Sequence, residues 1–387
     1  MGFARDTVKD DFEVADDYQM ATKIMVFGVG GAGGNAVKHM VEYGICDVDY
    51  VTANTDVAAL RAQDGSKMKR IQIGRKTTKG RGAGNDPSRG QESAEENRED
   101  IAAALDGVSM LFVAAGMGGG TGTGAAPVVA SIAKEKGILT VGVVTKPFDW
   151  EGTHKMAQAM GGISEMKKYV DALIVIPNDR VRQLKGSNIT AKNAFEKVDE
   201  VLCKAVMGII KLIQQTGYLN VDFSDITMAL KDSGIAHMAM GKGKGDNKIA
   251  DALDEVLNSP LLETSISGAR RGLVCISIPE NSPFEEFETL AKDISEKFNY
   301  GAQYKCGINL DSDLADDEIS IIAIATDFDT EAGDPEEIGG ISSSDEGAAG
   351  ISITQTSAGL TGNVGFSTAD DGMDALLKKF NQMNNNN

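Results

Sequence analysis

Two stretches of this chain put bare backbone where a negatively charged ligand could be held. The first, "GVGGAGGNAV", follows the apolar run "KIMVFGV" (Lys23–Val29) and matches G-x-G-x-x-G at Gly28, Gly30 and Gly33. The second, "AAGMGGGTGTGAAP" (Ala114–Pro127), follows the apolar run "VSMLFVAAG" and has six glycines in fourteen residues. Glycine weakens regular structure and costs entropy to fix. A cluster of it between a strand and a helix suits amides that approach phosphate oxygens without an intervening Cβ, at a helix N-terminus that favours negative charge. Thr121 and Thr123 add hydroxyl donors. The competing structural reading is a tight turn with close strand–helix packing.

The first loop alone favours an NAD(P)-binding, dehydrogenase-like domain, because Asp47 and Asp49 stand ~20 residues on, where a ribose-binding acid is expected. Two glycine loops in one sheet fit a triphosphate better, and the basic, glycine-rich loop Gly74–Pro87 is a candidate third. The usual mononucleotide plan is missing. No G-x-x-x-x-G-K-[ST] occurs; "GKGKGDNK" (Gly241–Lys248) has no Ser or Thr after either Gly-Lys and reads as a solvated turn. No N-K-x-D base-reading motif occurs, since Ile249 and Ala250 follow Asn247-Lys248. The residues alone therefore describe a nucleoside-phosphate-binding α/β protein.

The elements that must position these loops alternate in type. "VDYVTANTD", "RIQIG", "VSMLFVAAG", "ILTVGVVTKP" and "ALIVIPND" read as strands, with helices after the first loop, over Gln91–Leu105 and over Ala126–Lys136. That alternation implies a parallel, doubly wound sheet. A long helix is expected over Thr190–Gln215, where Ala194, Phe195, Val198, Val201, Leu202, Ala205, Ile209 and Ile213 recur at spacings of three and four, with Gly217 as its stop. A second unit follows, with helices near Ile226–Lys231, Asn247–Leu257 and Glu285–Lys297 and strands "GLVCISIP", "AQYKCGINL" and "ISIIAIATDF". Two successive strands without a long helix between them suggest a mixed or antiparallel sheet.

Bulk properties narrow the function. The 387 residues are 42 % hydrophobic, enough for two or three domains with real cores. Cys46, Cys203, Cys275 and Cys306, like His39, His154 and His237, are scattered singly, so no disulfide framework or His/Cys metal centre is indicated. Of the net charge of −19, residues 306–377 supply sixteen acids and no base, which leaves the body nearly balanced and argues against nucleic-acid binding. The acidic start is no secretory signal and no apolar run is long enough to span a membrane, so a cytoplasmic protein without direct membrane insertion is expected. Residues 329–368 have the composition of a flexible linker. "DGMDALLKKF" puts Met373, Leu376, Leu377 and Phe380 on one helical side.

"GGGTGTG" (Gly118–Gly124), with "GVGGAGGNAV", "ANTD", "GMGGGTGTGAAP", "VVTKPF", "IPND" and "NVDFSD" in order, resembles the tubulin/FtsZ family over roughly Ala21–Asp327, on its bacterial cell-division side rather than the tubulin side. The resemblance implies a Rossmann-like GTPase domain joined by a long central helix to a smaller α+β domain with a mixed sheet, and a disordered C-terminal linker. It implies divisions at 1–20 (acidic tail), 21–185 (GTP-binding domain), 186–217 (central helix), 218–328 (GTPase-activating domain), 329–368 (linker) and 369–387 (tail peptide). GTP or GDP would lie on Gly31, Ala32, Gly33, Gly34 and Asn35, on Gly118, Gly119, Gly120, Thr121, Gly122 and Thr123, and near Asn54. Ala83 and Gly84 match the loop that senses the γ-phosphate, although "GAGNDP" stands where the family commonly has "GAGANP". Glu151 and Lys155 match ribose positions, the second commonly Arg. Asn178, Phe195 and Asp199 match the guanine pocket: the carboxylate can accept from guanine N1–H and N2–H₂, and the ring, four residues earlier on one helical face, can stack on the base.

Asn220, Asp222 and Asp225 match a catalytic loop that enters the next subunit's nucleotide site and, with Mg²⁺, handles the attacking water. Ser224 or Asp222 would also cap a helix well. The implied activity is GTP hydrolysis coupled to head-to-tail polymerisation into the cell-division ring at mid-cell. The chain itself is the main partner, and membrane-tethering and regulatory division proteins would bind a tail that here lacks the family's usual proline.

Overall fold

Apolar segments that are buried on both faces run through the first half of the chain, and this is the condition for a parallel sheet. The computed structural model describes residues 22–44, 47–183, 190, 193–214, 221–259, 261, 268–279, 281–297, 303–311 and 314–328. In chain order the first part contains β1 (Ile24–Val29), α1 (Gly30–Tyr43), β2 (Val48–Asn54), α2 (Val57–Arg61), β3 (Lys69–Gln72), α3 (Pro87–Glu96), α4 (Arg98–Ala104), β4 (Met110–Gly116), α5 (Thr121–Glu135), β5 (Leu139–Lys146), α6 (Thr153–Lys167), β6 (Ala172–Pro177) and α7 (Asn178–Val181). It continues with α8 (Ala194–Gln214), α9 (Phe223–Leu230), β7 (Gly234–Lys244), α10 (Lys248–Leu257), β8 (Ala269–Ile278), α11 (Phe284–Lys297), β9 (Gln303–Leu310) and β10 (Glu318–Phe328).

One sheet has the order β3-β2-β1-β4-β5-β6-β7-β10-β8-β9. Its strands from β3 to β7 are parallel; β10 is antiparallel to both β7 and β8, and β8 is parallel to β9. Alternate side chains feed different cores. Val26, Phe112 and Val141 pack on one face with Val201, Leu202 and Ile209 of α8, whereas Phe27, Leu111 and Val113 pack on the other with Val129 and Ile132 of α5. Each such side chain contributes ~1.5–3 kcal/mol of burial. The second unit has its own core, including Val256 of α10, Val274 of β8, Leu290 of α11 and Ile321 of β10. The expected doubly wound sheet, long helix and mixed-sheet second unit are thus all present.

Several local expectations are corrected. The single helix over Gln91–Leu105 is two helices broken at Asn97, whose backbone leaves the helical region and whose side chain accepts from Gly74 N–H (2.9 Å) and donates to Asp100 (2.8 Å). α5 begins at Thr121, inside the glycine stretch and five residues ahead of Ala126. A Cβ on Gly124 would lie 1.9 Å from the Pro87 carbonyl oxygen, so close packing against α3 overrides the low helix propensity of the glycines. Along α8, Val198, Val201, Leu202, Ala205 and Ile209 are buried as their spacing predicts, but Phe195 is 51 % exposed. The proposed stop at Gly217 lies outside the described residues. α6 and β7 carried no expectation; "GKGK" is not a solvated turn but the end of β7. The last two strands are not neighbours: β10 sits between β7 and β8, and β9 lies at the sheet edge.

Gly243 on β7 lets α10 pack directly on this strand, since a Cβ there would fall 1.6 Å from the backbone oxygen of Lys248 at the start of α10. Gly243→Ala is expected to destabilise the chain by about 1–3 kcal/mol in urea denaturation followed by circular dichroism. A variant as stable as the parent would show that α10 does not sit against this strand.

Candidate nucleotide-binding site

Every parallel strand from β2 to β6 in the sheet ends at the same edge, and the loops that leave there converge. After β1 the chain turns through Gly30 (φ +75°) directly into α1, whose N-cap, Val29, provides no side-chain cap and whose first turn holds no acid. After β4 it turns through Met117–Gly120 into α5, again without a side-chain cap or an acid in the first turn. Two long helices therefore point uncapped N–H groups at this edge, the arrangement that binds phosphate. They can meet only because of glycine: a Cβ on Gly30 would lie 2.9 Å from Gly122 N, and one on Gly33 would lie 2.2 Å from the Ala114 carbonyl oxygen of β4. Around Gly31 and Gly119, by contrast, there is open space.

The walls of this cradle are pinned by hydroxyls and by the basic loop. Thr55 and Thr121 share a hydrogen bond of 2.7 Å between their Oγ1 atoms. Thr123 is buried, and its Oγ1 accepts from Gly118 N–H at 2.8 Å, so it closes the glycine loop on itself. Asn54 is buried at the end of β2, with Oδ1 accepting from Asp56 N–H (3.1 Å). The loop with Ala83 and Gly84 lies against the signature loop, since a Cβ on Gly120 would fall 2.8 Å from Ala83 Cβ and 2.9 Å from Asp86 N. It forms a third wall beside the two glycine loops.

Beyond the phosphate cradle lie polar groups suited to a sugar and a base. Glu151 binds Lys155 Nζ (2.8 Å) and accepts from Phe148 N–H (2.9 Å), which holds the tight turn after β5. Asp149 N–H donates to Asp179 (2.8 Å), tying that turn to α7, which opens with Asn178 directly after β6. Asn178 is buried, and its Oδ1 has no hydrogen-bond partner. Asp199 on α8 is only 6 % exposed and hydrogen-bonds Asn35 on α1. Burial pushes its carboxyl up to about 7, against the Asn35 hydrogen bond and with a smaller push from Glu196. A buried carboxyl and a buried amide oxygen without a partner leave acceptors suited to a ligand with two adjacent N–H donors, which guanine offers at N1–H and N2–H₂ and adenine does not. Phe195 stands beside them, with its ring exposed.

The remaining candidates lie elsewhere. Asp225 pairs with Lys305 (2.7 Å), and Asp222 and Asp225 close a capping box on α9, with Asp222 accepting from Asp225 N–H (2.8 Å). α9 leads into β7, whose start lies beside the start of β6 through Ser233 N–H to the Asp171 carbonyl (2.8 Å). Arg271, at the start of β8, donates to the carbonyls of Met228 (2.9 Å) and Lys231 (3.1 Å). The acid pair is therefore at the edge where the strands begin, opposite the glycine loops. Asn220 lies outside the described residues. Asp47 and Asp49 also precede β2's buried part, and Asp49 pairs with Lys23 (3.1 Å), so no ribose-binding acid stands where a dinucleotide site needs one. The dehydrogenase alternative loses its basis. Among the described residues no three His, Cys, Asp or Glu side chains gather as a metal site. Sequence reasoning missed the pinning roles of Thr55, Asp149 and Asp179; only "ANTD" and "IPND" hinted at them.

The buried carboxyl makes stability depend on pH. Its folded value, about 7, exceeds the unfolded value, so Asp199's contribution to stability falls as pH rises from about 4 to 7. Without nucleotide, Asp199→Asn should be the more stable protein at pH 8 by up to ~4 kcal/mol, and the gap should close at pH 4. The same variant should bind GDP roughly 10- to 100-fold more weakly by calorimetry, through loss of a charge-assisted hydrogen bond. Equal pH courses for variant and parent in denaturation would remove the burial argument.

Known proteins agree with this geometry. The profile of the Tubulin/FtsZ family GTPase domain matches residues 23–186, and that of the FtsZ family C-terminal domain matches residues 234–329. The chain is 45 % identical over 304 residues to the cell division protein FtsZ of Wigglesworthia glossinidia brevipalpis and 47 % identical over 304 residues to that of Buchnera aphidicola subsp. Acyrthosiphon pisum, in each case over 78 % of both chains. A solved structure described as an empty FtsZ dimer from M. jannaschii superposes with a TM-score of 0.75 at 38 % identity, covering 79 % of this chain and 88 % of that one. With two uncapped helix N-termini at one edge, two buried acceptors beside them and this degree of likeness, the chain belongs to the tubulin/FtsZ family and is a GTPase of FtsZ type.

Proposed function

We propose that this GTPase polymerises head-to-tail, each active site being completed by the next copy, and that its filaments form the cytokinetic ring at the bacterial mid-cell. One observation carries the reading: the glycine loops and the acid pair of Asp222 and Asp225 occupy opposite edges of one sheet. A single chain cannot bring both to one γ-phosphate; a translated copy can, and such a non-closing contact repeats into a filament. The curated relatives are named as cell division proteins and one structural relative as a dimer.

In this reading the amides of Gly31, Ala32, Gly33, Gly34 and Asn35 and of Gly118, Gly119, Gly120, Thr121, Gly122 and Thr123 hold the phosphates, with Asn54 nearby and Ala83 and Gly84 at the γ-phosphate. Asp199, as carboxylate, accepts from guanine N1–H and N2–H₂, Asn178 adds a second polar contact, and Phe195 stacks on the base. Glu151 accepts from a ribose hydroxyl; Lys155 supplies charge but not the planar fork of the family's usual Arg. Asn220, Asp222 and Asp225 of the neighbouring copy orient a water in line with the γ-phosphorus. The water oxygen forms the new bond to phosphorus, the bond to the β-bridging oxygen breaks, and the water's proton passes to a carboxylate or solvent, leaving GDP and inorganic phosphate. With no protein metal cluster among the described residues, Mg²⁺ would be held mainly by phosphate oxygens and water, and would neutralise charge on the leaving group.

The proposed divisions are a GTP-binding domain over 21–185, a central helix over 186–217 and an activating domain over 218–328, flanked by tail and linker segments. The tail peptide, 369–387, would meet membrane tethers and regulators through Met373, Leu377 and Phe380. Among the described residues no helix is long and apolar enough to cross a membrane. The working place proposed is cytoplasmic.

The shared site is tested by phosphate release per chain. The rate should be near zero at low protein concentration and rise above a threshold. Asp225→Asn should lower it by about 10²-fold or more while GDP binding persists. Mixing Asp225→Asn chains with Asp199→Ala chains should restore part of the rate, because some contacts then join an intact pocket to an intact acid pair. A rate per chain that is independent of concentration, or no recovery on mixing, would sink the shared site.

A further inference from the structure

Four large apolar side chains are conspicuously exposed among the described residues: Tyr43, Trp150, Phe195 and Met228. Tyr43 ends α1. The other three lie on the two edges that a head-to-tail contact would bring together. Trp150 (67 % exposed) and Phe195 stand at the phosphate edge, and Met228 (44 % exposed) stands on α9 at the opposite edge. Met228 follows Asp225 by three residues and so shares its helical face. Isolated exposed apolar residues need no explanation, but a tryptophan fixed in place does.

Trp150 is fixed. Its ring stacks on buried Phe148 at 5.6 Å between centroids and 19° between planes, within a turn pinned by Phe148 N–H to Glu151 and Asp149 N–H to Asp179. Its plane stands 73° from that of Phe195, 6.2 Å away. A purine stacked parallel on Phe195 would therefore lie nearly perpendicular to the indole and could not also stack on it. On that placement of the base, the outward indole face, exposed in this structure, would stay open with nucleotide bound.

We propose that Trp150 is the apolar anchor of the contact between copies, its indole packing against the Met228 face of α9 on the next copy, beside the acid pair. Aromatic anchors held rigid before contact and met by a thioether suit such a role. The inference rests on the head-to-tail reading and names the side chains that seat it. It links assembly to catalysis, because the same turn carries Glu151 and the same helix carries Asp225.

Trp150 is the chain's single tryptophan, so its fluorescence reads this site alone. In the full-length chain, acrylamide should quench Trp150 equally with and without GDP at concentrations below assembly. Shielding and a blue shift should appear only with GTP above the threshold found by light scattering. Trp150→Ala should bind GDP within about threefold of the parent but raise the assembly threshold tenfold or more. Met228→Ala should raise it too, and the double variant should add little beyond Trp150→Ala. Trp150→Phe should recover part of the loss. If GDP alone shields the indole and Trp150→Ala weakens GDP binding, the residue belongs to the nucleotide pocket and the proposal fails. If the parent assembles and Trp150→Ala assembles at the same threshold, the anchor is refuted while the filament stands; if the parent binds GDP but never assembles, the filament reading falls and the anchor with it.

Discussion

The close approach of two helix N-termini, α1 and α5, at one edge of the sheet is the constraint on which the site depends. Their first N–H groups have no side-chain caps, so each helix end carries donors that the fold leaves for a ligand or water. That approach is possible only without side chains at Gly30 and Gly33, where a Cβ would strike Gly122 and Ala114. The glycines are thus both packing devices and the means of baring the amides. The two readings offered for them at the level of sequence are one physical arrangement.

Around the cradle, stability is traded for recognition. A carboxyl buried at Asp199 with one hydrogen bond, from Asn35, and an amide oxygen buried at Asn178 with none cost free energy in the empty chain, because the surrounding protein matches the first only in part and the second not at all. A ligand with two adjacent N–H donors removes that cost, whereas one lacking them leaves it in place. Discrimination by unmatched buried acceptors is stronger than discrimination by shape. Asn35 joins this pocket to the phosphate helix, since it lies on α1 and hydrogen-bonds Asp199 on α8.

The opposite edge has a different economy. Asp222 and Asp225 cap α9, and Asp225 pairs with Lys305, so the role proposed for them toward a neighbouring copy would use atoms that also cap a helix. A capping box fixes the backbone of the acids before any partner arrives, which limits the entropy lost on contact. The long helix α8 packs between the two edges, touching the parallel sheet through Val201, Leu202 and Ile209. The candidate pocket and the acid pair therefore stand on one sheet with a shared core.

Much of this was legible in the residues. Apolar runs such as "KIMVFGV" and "VSMLFVAAG" must be buried on both faces, and glycine clusters after them demand close approach; both follow from composition and spacing. The α8 periodicity was equally plain. The sequence could not show that α5 starts within the glycines, that Asn97 splits a helix or that "GKGK" extends a strand, because contacts with Pro87, Gly74 and Lys248 decided those against local propensity. Periodicity alone could not place Phe195 outside the core either, since one exposed position on an apolar helix face carries no mark. Asp47 and Asp49 had suitable spacing but fell at the wrong edge. Residue type and spacing determined which chemistry the loops could perform. Which edge each group faced, and hence that phosphate cradle and acid pair are separated within one chain, was decided by strand direction and by pairings between distant segments, which exist only once the sheet has formed.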